Sequence, residues 1–125
     1  MNNMIAVTIR ITTNVPYDII RYNEEINKIS KEFYDALANG LKSTYRGDWS
    51  WIALSPDVII SFRPGENRKQ YGVMPEGTII VEYVLITIIT KNFDILNKYV
   101  EKAIDVIKNS PHLLFNVEVI DYEQQ

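Results

Sequence analysis

The chain has 125 residues and a net charge of −3, with 46% apolar and 23% charged residues. These values are typical of one soluble globular domain, and the negative charge argues against a nucleic-acid binder that depends on phosphate contacts. Because there is no cysteine, disulfides, thiolate metal sites and a cysteine nucleophile are excluded. The sequence has neither the basic start and apolar run of a signal peptide nor a window of about 18 apolar residues. We therefore expect a single cytoplasmic domain, residues 1–125, that does not contact a membrane.

The amino-terminal part predicts a strand followed by a helix. Residues 4–12 alternate between apolar and polar side chains, which is the pattern of a half-buried strand. Pro16 ends this strand, since proline cannot extend the hydrogen-bond ladder. In residues 18–42, apolar side chains recur every three or four positions and form one stripe of a helix. That stripe consists of Tyr22, Ile26, Ile29, Phe33, Leu37 and Leu41.

The middle of the chain predicts a second strand and a long connection. Apolar residues of one parity indicate a strand at residues 57–62, with a short strand or arm before it at 49–53. Residues 63–77 contain several proline and glycine residues, so we expect a long loop at the tip of a hairpin. Loops of this length are often functional.

The carboxy-terminal part predicts a strand, a helix and a final strand. Residues 78–90 form the longest predicted strand, and Asn92 is suited to cap the helix that follows. Residues 113–121 predict the last strand, and we expect the tail at 122–125 to be frayed. The apolar stripe of the second helix consists of Phe93, Leu96, Val100, Ala103, Ile104 and Ile107.

This order of elements predicts a ferredoxin-like βαββαβ sandwich of the α+β class. Its four-stranded antiparallel sheet has the spatial order 4-1-3-2, with both helices on one face. The third strand is then central and apolar toward both faces. We expect its second face to be covered by another copy of the chain, in a dimer or trimer, or by residues 45–54 or the long loop of the same chain. The residues expected at a contact between copies are Val84, Ile86 and Ile88 in one register, or Leu85 and Ile89 in the other.

Two segments together resemble the trimeric CutA family. They are EYVLITIITKNFDILNKYVEKAIDVIKNSPH at residues 82–112 and IRITTN at residues 9–14. That family also has a strand that ends near Thr-Lys, followed by a helix, a Pro/His region and a closing strand. The resemblance covers about half of the chain and implies a ferredoxin-like architecture and an oligomer, but it supplies no binding residues.

The residue types of common enzyme sites are missing or scattered. His112 is the single histidine, so several imidazoles of one chain cannot form a site, and no glycine pattern matches a phosphate-binding loop. The loop carboxylates Asp48, Asp57, Glu66 and Glu76 could hold a hard cation or form an acid–base pair, but their spacing does not predict that they meet. We predict no catalytic residue, no metal and no cofactor.

Aromatic and basic residues are concentrated in the segments TYRGDWSW and FRPGENRKQY. Because aromatic rings stack on bases and guanidinium groups bind phosphate, this combination could bind single-stranded nucleic acid or a nucleotide. In the alternative interpretation, the tryptophans pack at an edge of the fold and the loop arginines lie in solvent. The candidate binding residues are Tyr45, Arg46, Trp49, Trp51, Arg63, Arg68, Lys69 and Tyr71.

Three hypotheses for the function remain. The leading one is a small non-catalytic oligomeric domain that works by self-assembly and by binding a protein partner, a class that includes viral and phage assembly proteins. The second is a binding module for single-stranded nucleic acid or nucleotides, which the net charge does not favour. The third and least favoured hypothesis is an enzyme that uses the loop carboxylates.

Overall fold

A computed structural model describes residues 4–12, 19–46, 50–67, 80–109 and 116–124. These residues form two helices and one antiparallel sheet of six strands, so the predicted α+β class is confirmed. In chain order the elements are β1 (Ile5–Thr12), α1 (Ile19–Leu37), β2 (Lys42–Arg46), β3 (Trp51–Leu54), β4 (Val58–Asn67), β5 (Ile80–Thr90), α2 (Phe93–Asn109) and β6 (Asn116–Gln124). The strands follow the order β2-β3-β4-β5-β1-β6 across the sheet. Neither helix of this described part is long and apolar enough to cross a membrane.

The described sheet has more strands than the sequence predicted. In place of one short strand or arm at 49–53, β2 and β3 form a hairpin, and β3 pairs with β4. The hairpin therefore extends the sheet beyond β4. The four strands that were predicted are present as β1, β4, β5 and β6, and all neighbouring strands pair antiparallel.

β4 continues beyond the predicted end of its strand. It runs through Pro64 to Asn67, so the first residues of the predicted loop 63–77 belong to the sheet. Proline is tolerated at this position because β3 starts opposite Phe62, and beyond that pair β5 is the one neighbour of β4 among the described strands. Residues 68–77 of the predicted loop, and the first two residues of the predicted strand 78–90, lie outside the described residues.

β6 also extends further than predicted. It reaches Gln124, although residues 122–125 were expected to be frayed. Gln124 is the register partner of Ile5, so pairing with β1 continues to this end of the strand. A register shift between Thr8 and Ile9 shows that the two strands do not pair one to one over their whole length.

α1 is shorter than the predicted helix at residues 18–42, since it ends at Leu37. The N–H of Ala38 still donates to the carbonyl of Tyr34 at 2.8 Å. Gly40 then adopts a φ of 85°, a left-handed conformation that glycine reaches without a steric clash of a side chain. This glycine therefore turns the chain from α1 toward β2.

α2 begins as predicted, and the cap is confirmed. The side-chain Oδ1 of Asn92 accepts a hydrogen bond from the backbone N–H of Ile95 at 2.9 Å. The backbone carbonyl of Asn92 accepts from the N–H of Leu96 at 3.2 Å. Asp94 places a negative charge in the first turn, where the helix dipole favours it.

One core lies between the two helices and one face of the sheet, which we call the inner face. Trp51, Phe33 and Phe62 are its largest fully buried side chains. The rings of Trp51 and Phe62 stack with centroids 5.9 Å apart. The indole N–H of Trp51 donates to the backbone carbonyl of Ser30 at 3.1 Å. Trp51 thus connects β3 to both β4 and α1.

The register of β5 determines which of its apolar residues the helices cover. Val84, Ile86 and Ile88 have 0% exposure and belong to the core. Four of the five residues expected at a contact between copies are therefore buried within the chain, since Leu85 is also only 8% exposed. Leu85 and Ile89 lie on the opposite face, because successive side chains of a strand alternate.

Candidate functional site: the outer face of the sheet

The face of the sheet that points away from the helices, which we call the outer face, is formed by alternate residues of β1, β3, β4 and β5. Within the described part of the chain, none of these residues belongs to the core cluster. Antiparallel pairing brings side chains of neighbouring strands directly opposite each other, so the face is organised in rows that cross the strands. Three rows follow one another along the strand direction.

The first row is apolar. Leu54 pairs with Ile59, Ile59 pairs with Ile89, and Ile89 pairs with Ala6. Ile59 is 38% exposed, and Leu54 and Ile89 are half-buried. This set, which we call the apolar row, presents a continuous apolar surface to solvent across β3, β4, β5 and β1.

The second row carries hydroxyl groups. Ser61 pairs with Thr87, and Thr87 pairs with Thr8. The two threonine Oγ1 atoms are 3.1 Å apart and share a hydrogen bond. Ile52 continues the row on β3. This hydroxyl row separates the apolar row from a charged one.

The third row, the arginine row, contains Arg63 and Arg10 on either side of Leu85. Arg63 is exposed and Arg10 is half-buried. The guanidinium carbon of Arg10 lies 5.6 Å from the centre of the Tyr83 ring, a cation–π distance. Leu85, between the two arginines, is only 8% exposed.

Trp51 is the predicted binding residue whose position differs most from the expectation. It is 1% exposed and packs in the core, with an edge-to-face contact to Tyr34 at 5.4 Å. Its ring is therefore enclosed by the protein and does not offer a face to a nucleic-acid base. The alternative interpretation expected both tryptophans to pack at an edge of the fold. Trp51 instead packs in the core, and Trp49 lies outside the described residues.

The other predicted binding residues are distributed differently. Arg63 is exposed on the outer face. Tyr45 and Arg46 are on β2, at the register positions opposite Ile52 and Trp51. The remaining candidates lie outside the described residues, and they are Trp49, Arg68, Lys69 and Tyr71.

The loop carboxylates do not form a metal or acid–base site in the described residues. Asp57 is exposed, and its backbone carbonyl accepts a hydrogen bond from the Thr90 hydroxyl at 2.9 Å. Glu66 is part of β4, while Asp48, Glu76 and His112 lie outside the described ranges. No group of three or more acidic or histidine side chains that could hold a metal ion occurs in the described residues.

A groove of about 580 Å³ lies between α1 and α2, on the other side of the molecule. Carboxylates of Glu32, Asp35 and Asp105 line it together with the ammonium group of Lys102. Since charged helix faces are normally solvated, we interpret the groove as an ordinary surface feature.

Sequence reasoning missed Ile59, Tyr83 and the position of Arg10 as members of one surface. Ile59 carried a signal, because its parity is opposite to that of the inward residues Ile60 and Phe62. The arrangement in rows gave no signal in the sequence. It depends on which residues of distant strands pair, and one sequence does not fix that register.

No protein-family model matches the chain, and no curated protein matches it. The resemblance to the CutA family therefore finds no support in these comparisons. A function has to be inferred from the outer face and its own residues.

Proposed function

We propose that the chain is a small non-catalytic subunit that works by self-assembly, with the outer face of its sheet as the contact. Subunits of viral and phage assemblies work in this way, and we include that class in the proposal. The observation that carries it is the apolar row: three aliphatic side chains in register, with Ile59 38% exposed. Contiguous apolar surface of this kind on a soluble protein commonly marks an interaction site.

The size of the expected gain in free energy predicts a weak contact. Full burial of an aliphatic side chain contributes about 1.5–3 kcal/mol, so the half-buried members of the apolar row contribute roughly 1 kcal/mol each. Two copies bring six such side chains together, which gives about 6 kcal/mol. This lies in the lower part of the roughly 4–15 kcal/mol that association costs. Because this gain exceeds only the lower end of that cost, we expect a weak dimer that forms at high protein concentration and dissociates on dilution.

Replacement of Ile59 by Asp tests the proposal. Because Ile59 is already partly exposed, the protomer is expected to stay folded, whereas a carboxylate buried in the contact costs at least about 2 kcal/mol, or about 30-fold in the dissociation constant. Sedimentation equilibrium over a concentration series measures this constant, and circular dichroism checks the fold.

The matched control is Asn97→Asp, which adds the same charge at an exposed position of α2. It is expected to leave association unchanged. A wild-type protein that is monomeric at every concentration would overturn the proposal, and so would a dimer that tolerates Ile59→Asp.

A second candidate function is binding of single-stranded nucleic acid or a nucleotide. The observation that favours it is the arginine row, since Arg63 and Arg10 lie on one face with Tyr83 close to Arg10. Aromatic and guanidinium groups on a sheet are suited to stacked bases and phosphates. The net charge of −3 opposes it. Fluorescence anisotropy of a labelled oligonucleotide at two salt concentrations tests this candidate. Absent binding, or binding that does not depend on salt, would contradict it.

We also propose that β1, α1, β4, β5, α2 and β6 form a ferredoxin-like unit, with the β2–β3 hairpin as an insertion at its edge. Support comes from the order β4-β5-β1-β6 within the sheet and from the helices that follow β1 and β5. An experimental structure that gives a different strand order would contradict this assignment.

A further inference from the structure

We infer that the outer face binds a phosphate group over β5, between Arg63 of β4 and Arg10 of β1. This inference deepens the second candidate function, on which it rests, and it does not depend on the proposed self-assembly. Three features support it: the position of the two arginines, the contact that orients Arg10, and the hydroxyl groups of the neighbouring row.

The two arginines flank β5 at the same level. Leu85 is the register partner of Arg10 on β1 and of Arg63 on β4. Neighbouring strands lie about 4.8 Å apart, so the Cα atoms of the two arginines are about 10 Å apart across β5. An extended arginine side chain spans more than half of this gap, so both guanidinium groups can reach one ligand above Leu85. Each planar guanidinium can then donate two hydrogen bonds to the same phosphate.

Arg10 is already oriented toward β5. Its guanidinium carbon lies 5.6 Å from the centre of the ring of Tyr83, which is a residue of β5. The side chain therefore extends from β1 over the strand that Arg63 flanks on the other side. Arg10 is also half-buried, so part of the loss of side-chain entropy precedes ligand binding. Because a guanidinium has five N–H donors, contacts of Arg10 within the chain leave donors for a ligand.

The charges of the outer face favour an anion at this position. Arg63 is exposed, and the three rows contain no acidic residue on β1, β3, β4 or β5. Glu118 is the register partner of Arg10 on β6, which is the side away from β5. Two cationic groups on either side of an apolar residue are suited to a ligand with two negative charges. A phosphate monoester carries a charge of about −1.5 to −2 at neutral pH.

The hydroxyl row adds neutral donors beside the arginines. Thr87 lies two residues from Leu85 on β5, which is about 7 Å along the strand. Ser61 has the same position relative to Arg63 on β4. Thr87 and Thr8 share one hydrogen bond at 3.1 Å, and that bond uses only one of their two hydroxyl protons. A phosphate above Leu85 therefore has charged donors on two sides and hydroxyl groups on a third.

Tyr83 indicates that the phosphate belongs to an organic ligand. It lies on the other side of Leu85 along β5, away from the hydroxyl row. Its register partner on β4 is Gly65, so no side chain flanks the ring at that position. Since aromatic rings stack on bases, a nucleoside monophosphate can place its phosphate above Leu85 and its base beside Tyr83. The two positions are about 7 Å apart along the strand, and the ribose spans the distance between them.

A nuclear magnetic resonance titration tests the site. Adenosine monophosphate or inorganic phosphate is added to the ¹⁵N-labelled wild-type protein at constant ionic strength, and the arginine Nε–H signals are followed. The titration is repeated with Ile59→Asp, in which self-association does not contribute. We expect saturable shifts of the Arg63 and Arg10 signals in both proteins. The dissociation constant of adenosine monophosphate should be at least about fivefold lower than that of inorganic phosphate, because base stacking adds to the recognition of the phosphate.

Arg63→Gln gives the clearest result, because Arg63 is exposed and its replacement is not expected to disturb the fold. The loss of its charge-assisted hydrogen bonds is expected to raise the dissociation constant about tenfold or more. Lys31→Gln serves as the control, since it removes one positive charge from an exposed position of α1. This distant charge is expected to change the constant less than about twofold. Absence of saturable shifts at both arginines would overturn the inference, and so would an equal loss of affinity in the two variants.

The outcomes separate this inference from the two proposed functions. Oligonucleotide binding that survives Arg63→Gln keeps the second candidate function and rejects this site. Phosphate binding to a protein that is monomeric at every concentration supports the site and rejects the self-assembly. If inorganic phosphate and adenosine monophosphate bind equally well, the site is kept for the phosphate group alone and the role of Tyr83 is rejected.

Discussion

The two faces of the sheet are built from the same strands but differ in how their residues are used. On the inner face, β1, β4 and β5 present mainly apolar side chains that α1 and α2 cover, with Ile11, Ile60 and Ile86 at 0% exposure and the buried Thr90 at the end of β5. On the outer face, the same strands present apolar, hydroxyl and arginine rows. A face needed only for solubility would be polar throughout, as the solvated side of an antiparallel sheet normally is. The apolar row is the feature on which the proposed contact rests.

Charged substitutions at neighbouring positions of β5 should give the largest difference between the faces. Ile86→Asp buries a carboxylate in the core and is expected to cost more than about 4 kcal/mol, a large part of the roughly 5–15 kcal/mol that stabilises a domain. Leu85→Asp is expected to cost less, because its register partners Arg10 and Arg63 can pair with the carboxylate, although Leu85 itself is only 8% exposed. Far-UV circular dichroism and sedimentation measure the two results.

Two milder substitutions allow the same comparison if the Ile86→Asp protein does not fold. Ile86→Ala is expected to cost about 2–5 kcal/mol of unfolding free energy, as for other large-to-small core substitutions. Leu85→Ala should cost less by at least about 1 kcal/mol. Equal losses at the two positions would show that both faces are closed within one chain.

β3 allows the same comparison with an aromatic residue. Trp51→Ala removes the stack on Phe62 and the hydrogen bond to Ser30, and is expected to cost about 3–5 kcal/mol. Ile52→Ala, next to it on the outer face, should cost about 1 kcal/mol or less, because Ile52 is half-buried. Urea unfolding followed by circular dichroism gives both values. A large loss at Ile52 would mean that this part of the outer face is enclosed.

The elements that sequence reasoning located best are those with local signals. The alternation in β1 and the apolar run in β5 located both strands to within two residues, and Asn92 marked the start of α2 through its capping side chain. The end of α1 was placed too late, although Gly40 lies just after it. Apolar periodicity continues to Leu41, and periodicity alone does not reveal where the backbone turns.

The parts that were missed depend on pairing between distant strands. β4 was ended before Pro64 because proline normally excludes a strand, but β3 does not extend beside it, so the rule does not apply there. Trp51 was assigned to a binding cluster because its neighbours in sequence are polar and basic. Its burial depends on α1 and β4, which are distant in the chain. The sequence raised the question of what covers the second face of β5. The rows of the outer face could not be predicted, because they depend on the register between strands.

Substitutions at two threonines of β5 should give the smallest difference in stability between the inner and the outer face. Thr90 is fully buried at the inner end of β5, and its Oγ1 donates to the carbonyl of Asp57 at 2.9 Å. Thr90→Val leaves that carbonyl without this donor and is expected to cost about 1–2 kcal/mol. Thr87→Val removes the bond to Thr8 on the outer face, where water can replace it, and should change the unfolding free energy by less than about 0.5 kcal/mol.

Both threonine variants should be measured in the Ile59→Asp background, so that association does not contribute to the unfolding free energy. The ratio of the two changes in unfolding free energy then reports how far each face is shielded from water within one protomer. In the wild-type background, Thr87→Val should in addition change the dissociation constant, because Thr87 lies on the face proposed as the contact. An effect of Thr87→Val on the monomer as large as that of Thr90→Val would show that the hydroxyl row is already shielded from water, and the outer face would then have no need of a second copy.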